Sequence, residues 1–309
     1  MKRVLVTGIN GFVGRHTVDE LIRRGFEVHG LTKRTAPAGD NRVTYHVHDL
    51  LGDRRFGTLM AFVRPTHLLH LAWYAQPPLY WSAPVNIEWV AASLDLFSAF
   101  AQIGGQRIVA AGTCAEYDWR FGYCSELITP IAPTTVYGQC KDALRRSLEA
   151  LTSATGISAA WGRLFFLYGP NEHRLRLVPS VVTALLYGRE ALCTSGEQFR
   201  DYLHVQDAAD ALVALLCSDL TGPINIGSGE AVPVKAVVHE IAHQLHGKHL
   251  VRFGAKPDVD GDPPLLVADT RLLLRGTGWI PSCSLSKGIA EAIAWWRNTV
   301  VEAGGVRER

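Results

Sequence analysis

Val4-Leu5-Val6-Thr7-Gly8-Ile9-Asn10-Gly11-Phe12-Val13-Gly14 is a short apolar run that opens into three glycines, one at every third position. The run fits a buried parallel strand, and after it Val13, Val18, Leu21 and Ile22 share one helical face up to a stop at Gly25. Strand, glycine turn and helix in this order can cradle a dinucleotide pyrophosphate. Backbone approaches closely where side chains are missing, and the helix N-terminus faces the anion. The spacing is Gly-x-x-Gly-x-x-Gly, not the commoner G-x-G-x-x-G.

Working outward, apolar runs recur at Phe26–Leu31, Val43–Val47, His67–Ala72, Arg107–Ala111 and Ala159–Phe166, with helical patterns near 55–63, 85–103 and 135–154 between them. Repeated strand–helix units imply an α/β, Rossmann-type, doubly wound parallel sheet. After Pro170 the elements shorten. At 309 residues and 48% hydrophobic content the chain has material for a large core. A net charge of +2 lacks the basic excess of a nucleic-acid binder. No apolar stretch approaches the ~18 residues of a membrane span, and Met1-Lys2-Arg3 does not open a signal peptide. The six cysteines show no C-x-x-C spacing and read as reduced thiols of a cytoplasmic protein.

Tyr137-Gly138-Gln139-Cys140-Lys141 places a phenol and an ammonium at i and i+4, on one helix face. A phenol of pKa ~10 becomes a usable proton carrier when a close ammonium favours the phenolate. Together with Thr7–Gly14 and Thr113, in this order and at these distances, the pair resembles the extended short-chain dehydrogenase/reductases, which include nucleotide-sugar epimerases, dehydratases and ketoreductases. The resemblance continues through Arg163–Pro170, Arg200–Asp207, Asn225–Gly229 and Gly278–Pro281, covering essentially the whole chain.

The resemblance implies a Rossmann domain of residues 1–170 plus about 200–227. A smaller interleaved C-terminal substrate lobe of 171–199 plus about 228–309 would complete the fold, with the active site between the two. It implies Thr113, Tyr137 and Lys141 as the catalytic trio: Thr113 holds the carbonyl oxygen, Tyr137 passes the proton, and Lys141 tunes Tyr137 and touches the nicotinamide ribose. Gly8, Asn10, Gly11, Phe12, Val13 and Gly14 would hold the dinucleotide, Asp49 and Leu50 would flank its adenine, and Leu71 and Ala72 would line its cleft. Where NAD-binding relatives carry an acid after the second strand, this chain has Thr32, Lys33 and Arg34, which favours NADP(H) over NAD(H). A homodimer paired through the helices near 85–103 and 135–154 is implied as well, with an internal core role for their apolar faces as the alternative.

Residues after Thr113 discriminate between reactions. Dehydratase relatives place Asp then Glu there as acid and base, whereas this chain has Cys114 and Ala115, with Glu116 one position late. Relatives that epimerise and reduce GDP sugars carry a Cys and a His where Ala115 and Asn171 stand. The expected reaction is NADPH-dependent reduction of a keto group, at C4, of a nucleotide-activated deoxysugar. C4 epimerisation is the alternative and 4,6-dehydration comes third. Cys114, Glu116, Phe166, Arg174 and Arg200 are the expected substrate contacts, Phe166 standing where relatives often have a diphosphate-binding Asn and Val259 where many have Arg. No metal is expected: His239-Glu240-Ile241-Ala242-His243 matches a zinc-protease pattern, but reads as a solvated face of a helix in the substrate lobe.

Overall fold

The computed structural model describes residues 2–34 and 41–305, with side chains described as far as 299. The chain runs β1 (Lys2–Thr7), α1 (Val18–Arg23), β2 (Phe26–Thr32), β3 (Val43–Val47), α2 (Gly57–Val63), β4 (His67–His70), α3 (Val85–Gln102) and β5 (Arg107–Thr113). Then follow β6 (Tyr123–Cys124), α4 (Val136–Thr155), β7 (Ser158–Leu164), β8 (Phe166–Tyr168) and α5 (Leu177–Leu186). The last part holds β9 (Ala191–Leu192), β10 (Phe199–Arg200), β11 (Tyr202–His204), α6 (Val205–Leu216), β12 (Gly222–Ile226), β13 (Val232–Pro233) and α7 (Val234–Gln244). It ends with β14 (Val251–Arg252), β15 (Leu265–Ala268), α8 (Arg271–Thr277) and α9 (Leu285–Gly305).

Seven parallel strands form the central sheet in the order β12-β7-β5-β4-β1-β2-β3. The strands are apolar on both faces because both are covered. Leu21 of α1, Leu212 and Leu216 of α6 and Leu273 of α8 pack on one side. Met60 of α2, Leu96 and Phe97 of α3 and Leu144 and Leu148 of α4 pack on the other. Strand order reverses between β1 and β4, which opens a crevice at their carboxyl ends, where open α/β sheets bind ligands.

A second core forms in the C-terminal lobe, where Val181, Val182 and Leu185 of α5 meet Val237, Val238 and Ile241 of α7 and Ile289, Ile293 and Trp296 of α9. Two buried aspartates tie this lobe to the sheet. Asp201 accepts from Ser228 N and Oγ, Gly229 N and Ala268 N, holding the turn after β12. Asp207 accepts from Ser282 N and Oγ and Cys283 N, holding the turn before α9.

Two strands end earlier than the sequence expectation. The run 159–166 breaks at Phe165, whose N–H is taken by Ile226 O, so β8 leaves the large sheet to pair with β11. The run 67–72 ends at His70 because the N–H groups of Leu71 and Ala72 turn onto Thr7 Oγ1, each at 3.1 Å. All six cysteines are free thiols. Among the described residues no helix is long and apolar enough to cross a membrane.

Candidate active site

The glycine turn closes on itself and on β4. Gly11 N donates to Gly8 O at 2.8 Å. A Cβ at Gly8, whose φ is +69°, would sit 2.8 Å from Ala72 N, and one at Gly14 would sit 2.1 Å from Gly8 O. Side chains are thus excluded where a pyrophosphate would lie against the 3-10 turn Gly14–Thr17, with Phe12 and Val13 half-buried at its entrance. Leu71 and Ala72 form the opposite wall. The residues present fit a dinucleotide. Arg15, which sequence reasoning missed, straps this turn to the loop after β8 by donating to Asn10 O at 2.6 Å and to Asn171 Oδ1.

At the end of β2, Thr32 Oγ1 is turned inward, accepting from Asn10 Nδ2 at 3.2 Å and donating to Arg34 O at 3.0 Å. Lys33 is exposed and pairs with Asp49 at 2.9 Å, which holds the Asp49 carboxyl below its usual range. Leu50 is buried beside Asp49 and packs with Phe56. Of the two cations expected to read a 2′-phosphate, one is therefore shared with a carboxylate, and Arg34 stands exposed beside it.

Helix α4 begins with Thr135, whose Oγ1 accepts from Gly138 N at 3.0 Å, and it ends at Gly156 in the left-handed region. Gly138 lets its first turn lie against the loop after β5, since a Cβ there would be 2.4 Å from Ala115 O. That approach brings Tyr137 to Thr113. The phenol is pushed above its usual range by burial and by Tyr80, with the Thr113 hydroxyl pulling the other way.

Lys141 shares the helix face of Tyr137 and is held there by other partners. Its Nζ donates to Ala111 O at 2.9 Å and lies 3.8 Å from the centre of the Trp73 ring, but 6.0 Å from that of Tyr137. Burial brings its pKa down to about 7, with Glu116 raising it. Trp73 is fixed by donating to Asn86 Oδ1 at 2.7 Å. Tyr80 and Trp81 meet the Tyr137 ring edge to face at 5.0 and 5.8 Å, and Arg176 lies 5.3 Å from the Tyr80 ring. These aromatics pack around Tyr137 and Lys141. The cluster Leu79-Tyr80-Trp81 between a strand and a helix was the available signal.

The expected substrate contacts separate. Glu116 faces away from the cleft: its carboxylate accepts from Thr113 N at 2.9 Å, Trp161 Nε1 at 2.8 Å and Arg163 Nε at 2.7 Å. With Thr113 Oγ1 accepting from Ala115 N, it closes a capping box that fixes Thr113. Cys114 is buried against Tyr117, Phe165 and Leu266, and burial pushes its thiol up. Arg200 is buried with Nη2 on Asp262 at 2.6 Å, Nη1 on the carbonyls of Phe199 and Pro263, and Phe166 beneath its guanidinium at 5.5 Å. Arg174 is exposed on the loop before α5. His239 and His243 lie outside the lobe's core, His239 exposed, and Glu240 accepts from Ser286 Oγ and Gln244 Nε2.

A model of the NAD dependent epimerase/dehydratase family matches residues 4–227, about three-quarters of the chain. The chain belongs to this family. It is an enzyme of the extended short-chain dehydrogenase/reductase group, which acts through a nicotinamide dinucleotide. The chain is 26% identical to UDP-glucuronic acid decarboxylase 1 of Xenopus tropicalis, over 96% of this chain and 72% of that one. It is 29% identical to UDP-glucose 4-epimerase of Halalkalibacterium halodurans, over 94% and 95%. Among solved structures, MoeE5 in complex with UDP-glucuronic acid and NAD superposes with a TM-score of 0.83 at 28% identity, over 96% and 99%.

Proposed function

We propose that this enzyme is a nucleotide-sugar C4 epimerase with a resident dinucleotide, NAD(H) before NADP(H). The observation that carries the reading is the approach of the Tyr137 phenol to the Thr113 hydroxyl, with Lys141 on the same helix face and no free acid–base pair next along the chain: Cys114 and Ala115 follow Thr113, and the Glu116 carboxylate is saturated from below. Elimination of water needs such a pair, whereas epimerisation does not. The dinucleotide would take up the C4 hydride and return it. Thr113 Oγ would hold the C4 oxygen, Tyr137 would move its proton, and Lys141, once charged, would favour the phenolate. The aromatic walls exclude water around the transient ketone. A solved relative with NAD and UDP-glucuronic acid, and a 4-epimerase at 29% identity, support this over net reduction.

NADPH-dependent reduction of a 4-ketosugar is the second reading, favoured by the absence of an acid at the end of β2. The pairing of Lys33 with Asp49 weakens it. Arg200 is the candidate diphosphate ligand, exchanging Asp262 for phosphate oxygens. Purified protein given UDP-hexoses and UDP-hexuronic acids without added cofactor should produce the C4 epimer of one of them by NMR, and its denatured supernatant should contain NAD by mass. Turnover only with a 4-ketosugar and stoichiometric NADPH would replace this reading with the second.

A further inference from the structure

At the end of β11, His204 caps α6 with its ring turned toward α9. Only 3% of the residue is exposed, yet neither ring nitrogen has a hydrogen-bond partner among the described residues. Nε2 lies 3.5 Å from Glu291 Oε2, and burial lowers the imidazole pKa. Cys283, in the turn leading into α9, completes a set in which one donor atom from each residue lies within 4.8 Å of the others. The arrangement is rigidly built. Asp207 pins the Cys283 turn, and α9 can come this close only because residue 288 is glycine: a Cβ there would be 2.4 Å from Tyr168 Oη and 2.9 Å from His204 Cδ2.

We propose that His204, Cys283 and Glu291 bind one divalent cation of the zinc class, with water as fourth ligand, clipping α9 to the start of α6. Tetrahedral zinc with bonds of about 2.0–2.3 Å sets its donors about 3.3–3.8 Å apart. The His204–Glu291 distance already meets that spacing, and the thiol sulfur has on the order of 1 Å to move. A mixed imidazole, thiolate and carboxylate set suits zinc and disfavours magnesium or calcium. On binding, the sulfur exchanges its proton for the metal and the proton goes to solvent. Burial, Glu291 and Asp207 push the free thiol up to about 11, and the same negative charges attract a dication. His16 and Lys287, the latter 3.9 Å from Glu291 Oε1, also face the site and oppose it. The ligands meet only through the fold, whereas His239 and His243 carry the sequence pattern without the geometry.

Untagged full-length protein, stripped with chelator, is titrated with Zn²⁺ against a chromophoric chelator and separately with Co²⁺. One equivalent of zinc, a thiolate-to-cobalt charge-transfer band and a zinc-dependent rise in melting temperature are expected. Cys283→Ser should abolish the band, and both Cys283→Ser and Glu291→Gln should weaken zinc at least about tenfold. His239→Ala should change neither. Cys283 and Glu291 are partly exposed, so both variants are expected to fold, which circular dichroism checks. Failure of the wild type to take up stoichiometric zinc, or wild-type zinc affinity in either ligand variant, would overturn the assignment.

Discussion

Arg163–Glu116 and Arg200–Asp262 are both arginine–carboxylate pairs, and one partner of each is a residue that the sequence marks as a substrate contact. The first lies wholly inside, beneath Thr113, where Arg163 also donates to Tyr117 Oη and Tyr117 donates to Asn225 Oδ1. The second lies near the surface, with Arg200 buried but the Asp262 side chain 31% exposed on a loop. A buried pair with every partner in place fixes geometry and cannot be opened cheaply, whereas a pair with one wet partner can trade that partner for a ligand. On the proposed function, the inner pair would position Thr113 and the outer pair would be free to take a ligand.

Removing one partner from each pair should separate them most sharply. Glu116→Gln leaves the Arg163 charge uncompensated in the core and should cost about 3–5 kcal/mol in urea unfolding. Asp262→Asn should cost less than Glu116→Gln, because the carbonyls of Phe199 and Pro263 still hold Arg200, and, by freeing Nη2, should tighten nucleotide-sugar binding in calorimetry. Equal losses would break the comparison.

Tyr137→Phe tests what the inner pair is for: turnover should drop at least about 100-fold while dinucleotide affinity, measured separately, hardly changes. Gly138→Ala acts on the same geometry without touching the chemistry. The added methyl group would push α4 off Ala115 O and displace Tyr137, which should cost about 10- to 100-fold in kcat.

A smaller effect concerns pH. Lys141, at about 7 in the folded chain against an ordinary 10.5, holds fewer protons folded than unfolded between those values. Unfolding free energy should rise with pH across that window, falling as pH drops from 10.5 toward about 7 and levelling off below it. Lys141→Met should flatten this slope, and an unchanged slope would assign it to another group.

The large sheet was legible because its strands are short apolar runs punctuated by helical periodicity and glycine turns. The break at Phe165 was not, since it depends on Ile226 O arriving from a strand about 60 residues later. The trio Thr113, Tyr137 and Lys141 was visible as residue types at known spacing. The perch of Lys141 on Trp73 was invisible, because nothing local links positions 73 and 141. Glu116 is different: Thr113-Cys114-Ala115-Glu116 is a capping box in plain sequence, and that pattern ties the carboxylate to a backbone N–H. Arg200 and Asp262 could not be paired from sequence, since a folded loop brings them together.

The central claim is that one C4 hydride leaves and returns within the same protein while Tyr137 handles the proton. A nucleotide sugar deuterated at C4, incubated with the protein and excess unlabelled free dinucleotide, should yield its C4 epimer with the deuterium retained at C4 and no net change in reduced-nicotinamide absorbance. Loss of the label from the epimer, or label transfer into the free dinucleotide pool with net redox change, would contradict it.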